Sequence, residues 1–126
     1  MSEAADVVRR LWELFDARDW ETAKELLAED VICDWPHSRE RLRGRDNVIE
    51  VNRTYPGWDS LRAERIVGED NRVTSLVRVV AGDQVFWAAS FFELEGGRIA
   101  RIFEVWAEEG AEGTPDWRAH LVEPLE

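Results

Sequence analysis

The sequence predicts an α+β fold, in which helices precede a mostly antiparallel sheet. The N-terminal third places apolar residues at helical spacing, whereas residues 61–106 form β-rich runs that are separated by short turns. Helices that are grouped ahead of a meander of strands are typical of α+β proteins. The chain has 126 residues, so we expect a single domain, 1–126, built around one core.

The clearest element is a hairpin of two β-rich runs, residues 85–95 and 98–106, which are joined by Gly96 and Gly97. Both glycines accept the positive φ angles that tight hairpin turns require. Such a pair between two β-rich runs is a strong hairpin signal. We therefore expect two long antiparallel strands around one tight turn.

One acidic residue, Glu104, lies inside the second run of this hairpin. It stands between Ile102 and Trp106, two residues from each. Side chains of a strand alternate between its two faces, so Glu104 faces inward if these apolar neighbours do. The functional hypothesis for this chain depends mainly on that position.

Three helices are predicted ahead of the long strands, at residues 4–17, 20–28 and 47–54. The first carries apolar residues at the i, i+3, i+4 and i+7 positions of one face. Asp19 and Asp46 directly precede the second and third helices, and we expect them to cap the N-termini. The brief link between the first two helices favours an αα-hairpin.

Other elements are predicted on either side of this hairpin. They are strands at residues 31–35, 61–67 and 73–80, and a short terminal helix from about residue 114 to residue 120. In the first of these strands, Val31, Cys33 and Trp35 share one face. Asp34 has the opposite parity, so we expect it on the outer face or at the rim.

The charge and the cysteine content narrow the class of protein. A net charge of −11 argues against nucleic-acid binding and against binding to an anionic membrane surface. The single cysteine, Cys33, has no partner for an internal disulfide, which fits a reducing compartment. No secretory leader opens the sequence, and its longest nearly apolar run, residues 85–92, is too short to span a bilayer. We therefore expect a cytoplasmic protein.

Four arginines alternate with other residues in one short segment, at Arg39, Arg41, Arg43 and Arg45. An extended chain would place all four side chains on one side. One interpretation is a solvated edge that pairs with the surplus acidic residues. The other is a basic rim that guides an anionic ligand.

Several segments resemble a known family. Residues 34–47, 55–57, 103–107 and 115–118 resemble the SnoaL-like branch of the nuclear-transport-factor-2-like superfamily. The resemblance implies a cone-shaped barrel of a curved, mixed, mostly antiparallel sheet packed on three N-terminal helices. It also implies a hydrophobic small-molecule ligand in the cone and a homodimer formed through the outer sheet face.

The superfamily includes ketosteroid isomerase, whose catalytic positions can be compared with this chain. The resemblance places its catalytic aspartate at Trp35, its oxyanion-hole tyrosine near Leu11 and its oxyanion-hole acid at Ser90. An indole cannot abstract a proton and a leucine cannot donate one, so we expect no isomerisation by that mechanism. We also do not find the paired histidines of scytalone dehydratase, or the acid–arginine trio of limonene epoxide hydrolase. A cyclase activity stays compatible with these residues, because a cyclase needs mainly one positioned acid or base.

The same resemblance implies a mostly aromatic cavity. Its inward residues are Val31, Cys33, Trp35, Phe86, Ala88, Ser90, Phe92, Ile102, Glu104 and Trp106. Trp35 and Trp106 could stack on a planar or polycyclic apolar ligand. Alternatively, these aromatic side chains simply fill the cone.

Glu104 is the predicted general base. A carboxylate beside two indoles is poorly solvated, which should raise its pKa and suit removal of a proton next to a carbonyl. Alternatively, Glu104 forms a structural ion pair with Arg62 or Arg78. His37 and Tyr55 are the predicted auxiliary catalytic residues, although a surface histidine and a helix-ending tyrosine also have simpler roles.

Two functional hypotheses follow from these residues. The first is a cofactor-free isomerase, cyclase or hydratase that acts on a hydrophobic carbonyl compound. The second is a non-catalytic ligand-binding or association domain in which Glu104 is structural. We expect no metal site, because no His/Cys/Asp spacing suggests one, and we expect no cofactor, because no glycine-rich phosphate loop follows a strand. Cys33 is expected to be a small core residue.

Overall fold

The computed structural model describes residues 2–55 and 57–125, and the α+β class is confirmed. The helices are α1 (Glu3–Asp16), α2 (Trp20–Glu25), α3 (Arg45–Thr54) and a terminal 3-10 helix (Asp116–Leu121). The strands are β1 (Leu27–Trp35), β2 (Glu40–Arg43), β3 (Ser60–Glu69), β4 (Arg72–Ala81), β5 (Gln84–Glu95) and β6 (Arg98–Glu108). The predicted order of elements is therefore correct, and β2 is an additional short strand.

The six strands form one sheet in the order β2-β1-β6-β5-β4-β3. β1 runs parallel to β6, and the other neighbours are antiparallel, so the sheet is mixed as the resemblance implies. The curved sheet is open rather than closed into a barrel, because its edge strands β2 and β3 do not pair with each other. Instead, α1 packs on β3 and β4, and α3 packs on β1 and β2.

The predicted hairpin is confirmed in β5 and β6. Gly96 and Gly97 have φ angles of 57° and 80°, so both occupy the left-handed region that a tight turn requires. The pairing sets Ser90 opposite Glu104 and Phe92 opposite Ile102. These residues consequently share the face of the sheet that the helices cover.

The boundary between α2 and β1 differs from the prediction. Asp19 caps α2 as expected, since its carboxylate accepts a hydrogen bond from the Thr22 amide. The helix ends at Glu25, three residues early, because the Leu26 carbonyl accepts a hydrogen bond from the Ile99 amide of β6. Two consecutive leucines fit either a helix face or a strand, and pairing with β6 decides in favour of the strand.

The predicted cap of α3 is wrong. The helix begins at Arg45 with Gly44 as its N-cap, and no side chain caps it. Asp46 lies in the first turn instead, where its carboxylate forms an ion pair of 2.6 Å with Lys24 of α2. Since this pair ties α2 to α3, the carboxylate is not available to the helix N-terminus.

The alternating arginines do not share one extended segment. β2 contains only Arg41 and Arg43, while Arg39 precedes it in a turn with a φ of 60° and Arg45 starts α3. β2 is an edge strand, and Arg41 forms an ion pair of 2.6 Å with Asp34 on β1. For Arg41, these contacts support the interpretation as a solvated edge that pairs with acids.

The core lies between α1 and the inward face of the sheet. Its fully buried members include Val8, Leu11, Leu27, Val77 and Ile99. α1 begins at the Ser2 cap, whose hydroxyl accepts a hydrogen bond from the Ala5 amide, and buries one apolar stripe against the strands. This packing fixes α1 above the sheet and leaves room for a cavity toward α3.

Candidate functional site

A cavity of about 170 Å³ lies between the inward face of the sheet and helices α1 and α3. Most of its lining is apolar or aromatic. The residues that were predicted to line a pocket and that do line this cavity are Cys33, Trp35, Tyr55, Phe86, Ala88, Phe92, Ile102, Glu104 and Trp106. These residues, apart from Tyr55, belong to the inward set that the family resemblance implies.

Glu104 brings a carboxylate to this apolar cavity, and two neighbours fix its orientation. The Ser90 hydroxyl donates a hydrogen bond of 2.6 Å to Glu104 Oε2. The Trp35 indole Nε1–H donates a hydrogen bond of 3.1 Å to Glu104 Oε1. Both donors come from strands next to β6, so the sheet itself positions the carboxylate.

The surroundings of Glu104 shift the pKa of its carboxyl group. Burial raises the pKa of the Glu104 carboxyl group above its ordinary value, because the charged form loses solvation. The hydrogen bonds from Ser90 and Trp35 and the nearby His37 act in the opposite direction. Desolvation is the larger effect, so the pKa moves toward the range in which a carboxylate can act as a base near neutral pH.

The predicted alternative of an ion pair does not fit the geometry. Within residues 2–55 and 57–125, no salt bridge joins Glu104 to Arg62 or Arg78. Arg78 instead lies over the Trp87 ring at 6.0 Å. Hydrogen bonds from neutral groups therefore hold Glu104, and its charge is not neutralised by either arginine.

An aromatic cluster surrounds the opening of the cavity near Glu104. The Trp35 and Trp106 ring centroids lie 6.0 Å apart in a T-shaped arrangement, and Phe86 lies 6.4 Å from Trp106. The exposed His37 side chain does not line the cavity, but its ring lies 4.7 Å from Trp106 and 6.4 Å from Trp35. His37 therefore packs against Trp35, which in turn donates a hydrogen bond to Glu104.

Tyr55 lines the cavity directly after α3. It is 40% exposed, and its ring contacts Trp58 at 5.9 Å and Phe86 at 6.5 Å. These contacts place the three predicted catalytic residues, Glu104, His37 and Tyr55, around the same group of aromatic side chains.

Two of the predicted ligand-contacting residues, Ser90 and Cys33, are not part of the aromatic walls of the cavity. Ser90 is 1% exposed and does not line the cavity, since it lies behind Glu104 and is used by the carboxylate. Cys33 lines the cavity and is buried, and burial together with the Glu104 and Asp34 charges raises the pKa of its thiol. The thiol is therefore held in its neutral form, as expected of a small core residue.

The helical side of the cavity was largely missed by strand-based reasoning. α1 contributes Leu11, Trp12 and Phe15, and the segment after α3 contributes Trp58. α1 could have been included, because these residues lie on the apolar stripe that the sequence already indicates. Trp58 gives no periodic signal, since it lies between the end of α3 and the start of β3.

α3 also contributes Val48, Val51 and Asn52 to the cavity. The two valines supply apolar side chains to this wall. Asn52 was not considered, and it is the one amide side chain in this lining. Its Nδ2 donates a hydrogen bond of 2.7 Å to the Val48 carbonyl, one turn earlier.

The outer face of the sheet has a different chemistry from the cavity. Phe91 and Phe103 are 52% and 48% exposed, and their rings lie 6.4 Å apart on neighbouring strands. Asp34 lies on this face, where two hydrogen bonds from Arg41 hold the pKa of its carboxyl group below the usual range. The face thus combines exposed aromatic rings with paired charges.

Neither a metal site nor a membrane-spanning helix is found among the described residues. In the described part of the chain, no three His, Cys, Asp or Glu side chains converge where a metal ion could bind. None of the described helices combines the length and the apolar character that crossing a membrane would require.

Comparison with family models gives one match. The model described as "SnoaL-like domain" matches residues 8–102, which is most of the chain. No curated protein matches the sequence. Many solved structures match the fold, and three of them are informative.

The first is a protein from Kribbella flavida DSM 17836 that is provisionally named a ketosteroid isomerase and is 30% identical to this chain. The match has a TM-score of 0.86 and covers 98% of this chain and 90% of that chain. An NTF-2 like protein of unknown function from Burkholderia xenovorans LB400 is 23% identical, with a TM-score of 0.78 over 98% and 96% of the two chains. A protein from Shewanella putrefaciens CN-32, provisionally named a SnoaL-like polyketide cyclase, is 12% identical, with a TM-score of 0.70 over 84% and 90%. The last two similarities support the fold alone.

Proposed function

The chain belongs to the SnoaL-like domain family, and we propose that it is a cofactor-free isomerase, cyclase or hydratase that acts on a small hydrophobic carbonyl compound. One observation carries this proposal: a carboxylate that forms no salt bridge with any described residue lines an apolar cavity and is held there by Ser90 and Trp35. The Kribbella relative, which is 30% identical and provisionally named a ketosteroid isomerase, supports the same class of reaction.

The proposed chemistry begins with proton abstraction. Glu104 takes a proton from the carbon next to the ligand carbonyl, and the C–H electron pair forms the carbon–carbon double bond of an enolate. The protonated carboxyl group then returns the proton to a carbon of the ligand, which completes an isomerisation. Tyr55 donates a hydrogen bond to the enolate oxygen, and His37 exchanges protons with solvent at the opening.

The ketosteroid mechanism is not part of this proposal. Leu11 and Trp35 line the cavity, but neither side chain can replace the acid or the tyrosine of that mechanism. Ser90 lies behind Glu104 and faces the carboxylate rather than the cavity. The name of the Kribbella relative therefore supports a related scaffold and a carbonyl chemistry, rather than a steroid substrate.

The cavity volume limits the ligand. Apolar cavities of about 150 Å³ accommodate a single benzene ring. A volume of about 170 Å³ therefore favours a compact ligand of one or two rings over the polycyclic compound that the aromatic residues alone suggest. Trp35, Trp106 and Phe86 would contact its ring faces and edges.

A second candidate function is non-catalytic binding of the same kind of ligand. Both oxygens of Glu104 already accept a hydrogen bond, which is also the arrangement expected of a structural carboxylate. In that case, the cavity would hold a ligand and no proton would be transferred.

We also propose that the protein is a cytoplasmic homodimer. The exposed Phe91 and Phe103 rings on the outer sheet face would be buried against the same face of a second copy. The paired Asp34 and Arg41 charges at the border of this patch would fix how the two copies are aligned. The cytoplasmic assignment is supported by the free, buried Cys33, which fits a reducing compartment.

Exchange of carbon-bound protons for deuterium tests the enzymatic proposal. We would follow the protons next to the carbonyl of 1-indanone, a compact two-ring ketone, by NMR in D2O. The protein should accelerate their exchange, and Glu104→Gln should reduce that acceleration by about 100-fold or more, because a positioned general base contributes about 10²–10⁴-fold. Glu64→Gln, at an exposed position on β3, is the matched control.

Equal acceleration by wild type and Glu104→Gln would contradict the role of Glu104. Binding of 1-indanone without any acceleration would favour the non-catalytic candidate. Native mass spectrometry of the freshly purified protein would identify a co-purified ligand and allow the same pair of variants to be compared with it.

A further inference from the structure

The cavity has a second polar region, on the helical side and away from the sheet that carries Glu104. Asn52 lies on the last turns of α3, and Trp58 lies just before β3. Both side chains line the cavity. Glu104 rises from the sheet, whereas these two residues belong to the layer that covers the sheet, so a ligand between them meets polar groups on two facing walls.

Trp58 carries an unsatisfied hydrogen-bond donor. Its side chain is 8% exposed, and its Nε1–H is the buried side-chain group that finds no hydrogen-bond partner among the described residues. Buried donors in native proteins are nearly always paired, so each exception calls for an explanation. For a residue in the wall of a ligand cavity, the ligand itself is the direct explanation.

The position of the Trp58 ring is well determined by its neighbours. Arg18 donates a hydrogen bond to the Trp58 carbonyl, and its guanidinium lies over the indole at 4.6 Å. Trp20 packs edge-on against the ring at 6.1 Å from outside the cavity, and Tyr55 packs at 5.9 Å. These contacts hold the ring in the wall, and no hydrogen bond among the described residues is donated by its Nε1–H.

Asn52 complements this donor with an acceptor. One hydrogen of its Nδ2 group is used by the Val48 carbonyl. The Oδ1 oxygen takes no part in the hydrogen bonds found among the described residues, so it can accept one from a ligand. A hydroxyl group could accept from Trp58 and donate to Asn52 at the same time, whereas a carbonyl oxygen could satisfy only Trp58.

We propose that Asn52 and Trp58 form a second binding site for an oxygen group of the ligand. This inference rests on the proposed function, because it adds a second anchor to the same ligand. The ligand is then a compact cyclic compound with two oxygen functions. The carbon next to its carbonyl group lies toward Glu104, and a hydroxyl group on the other side of the ring lies between Asn52 and Trp58.

Matched ligands separate this inference from the proposed function. The probes are 1-indanone and its four ring-hydroxylated isomers, 4-, 5-, 6- and 7-hydroxy-1-indanone, with affinities measured by titration calorimetry. One neutral hydrogen bond changes an affinity by roughly 2- to 10-fold. At least one isomer should bind the wild type about 5-fold more tightly than 1-indanone does.

Variants assign that preference to residues. Trp58→Phe removes the N–H and keeps an aromatic ring, and Asn52→Leu removes the amide at nearly constant volume. Each should reduce the preference for the hydroxylated isomer to less than about 2-fold. Trp20→Phe, which alters a neighbour of Trp58 outside the cavity, should retain the preference.

A second measurement uses the wild-type protein, without any substitution in the cavity wall. In the wild-type protein, the indole N–H signal of Trp58 should move downfield and exchange more slowly with the preferred hydroxyindanone than with 1-indanone. A preference that persists in Trp58→Phe, or equal affinities of all five probes for the wild type, would overturn the second site while leaving the cavity proposal intact. Failure of 1-indanone itself to bind would contradict both proposals.

Discussion

The Ser90 hydroxyl donates a hydrogen bond of 2.6 Å to Glu104 Oε2 across the paired strands β5 and β6. Trp35 on β1 donates to the other carboxylate oxygen from the opposite neighbour of β6. Three adjacent strands thus fix one acidic group in an apolar cavity.

Replacing Ser90 by alanine should raise the pKa of Glu104 further. The hydroxyl stabilises the charged carboxylate, so its removal favours the protonated form. At neutral pH the variant should lose about 1.5–3 kcal/mol of unfolding free energy, the typical contribution of a hydrogen bond to a charged group. Chemical denaturation and a carboxylate NMR titration measure the two effects.

Ser75→Ala provides the control for this prediction. Ser75 lies opposite Ser90 on β4 and is similarly buried, but its hydroxyl accepts a hydrogen bond from Trp12 Nε1. This variant should also lose stability, because it leaves a buried indole N–H unpaired. An unchanged Glu104 pKa in Ser90→Ala, or an equal change in both variants, would show that Ser90 does not support the carboxylate.

The stability of the protein should depend on pH through Glu104. Its pKa is raised in the folded state, so the folded protein keeps a proton that the unfolded chain has already released. The contribution of Glu104 is therefore fully present below its ordinary value of 4.5 and is lost as the pH rises through the folded-state pKa. Glu104→Gln removes this loss.

The difference in unfolding free energy between Glu104→Gln and wild type should consequently increase in favour of the variant from pH 4.5 upward. Urea denaturation at a series of pH values measures this difference. Glu64→Gln, at an exposed position, should show no comparable trend. A difference that stays constant or declines over this range would contradict a raised pKa.

Filling the cavity should weaken ligand binding. Ala88 lies on the cavity wall, paired between Val77 and Trp106, and Ala88→Leu would occupy part of the 170 Å³. We expect 1-indanone to bind at least about 10-fold more weakly, with a stability change smaller than the 1–3 kcal/mol typical of overpacking. Calorimetric titration and thermal unfolding test both statements.

Ala89→Leu is the matched control for Ala88→Leu. It adds the same atoms to the next residue of β5, whose side chain has the opposite parity and lies on the outer face. It should leave 1-indanone affinity within about 2-fold of wild type. Equal losses in the two variants would indicate that the probe does not occupy the cavity.

Disrupting the outer sheet face should dissociate the proposed homodimer. Phe103→Glu places a charge in the centre of the exposed aromatic patch, next to Phe91. We expect the dimer dissociation constant to rise at least about 30-fold, since a buried aromatic contact at an interface centre often contributes 2 kcal/mol or more. Sedimentation velocity over a concentration series measures this change.

Trp117→Glu distinguishes this patch from other exposed aromatic residues. Trp117 is 72% exposed and lies on the terminal 3-10 helix rather than on a strand of the sheet. It should leave the dissociation constant unchanged. A monomeric wild-type protein, or equal effects of both substitutions, would contradict dimerisation through the patch.

Local rules and the family resemblance together predicted the part of the site that lies on long strands. Two-residue alternation grouped Glu104 with Ile102 on one face of β6, and the family resemblance implied that this face is the inward one. The Gly96–Gly97 turn then sets Phe92 opposite Ile102 on β5. Helix spacing likewise indicated the buried stripe of α1. In both cases the signal repeats along the chain and does not depend on distant residues.

The remaining features depend on contacts between distant segments. The end of α2 is set by the hydrogen bond between Leu26 and Ile99, and the role of Asp46 is set by Lys24. The cavity position of Trp58 depends on where the chain returns to the sheet after α3. None of these choices leaves a periodic pattern in the sequence, so they become visible only in the folded chain.

The central claim concerns the protonation of Glu104 in its cavity. A carboxylate carbon NMR titration of the wild-type protein, with the signal assigned by its disappearance in Glu104→Gln, measures this property directly. We predict a midpoint clearly above 4.5, since burial outweighs the hydrogen bonds from Ser90 and Trp35. A midpoint at or below 4.5 would identify Glu104 as a well-solvated or structurally stabilised carboxylate and would contradict its role as a general base.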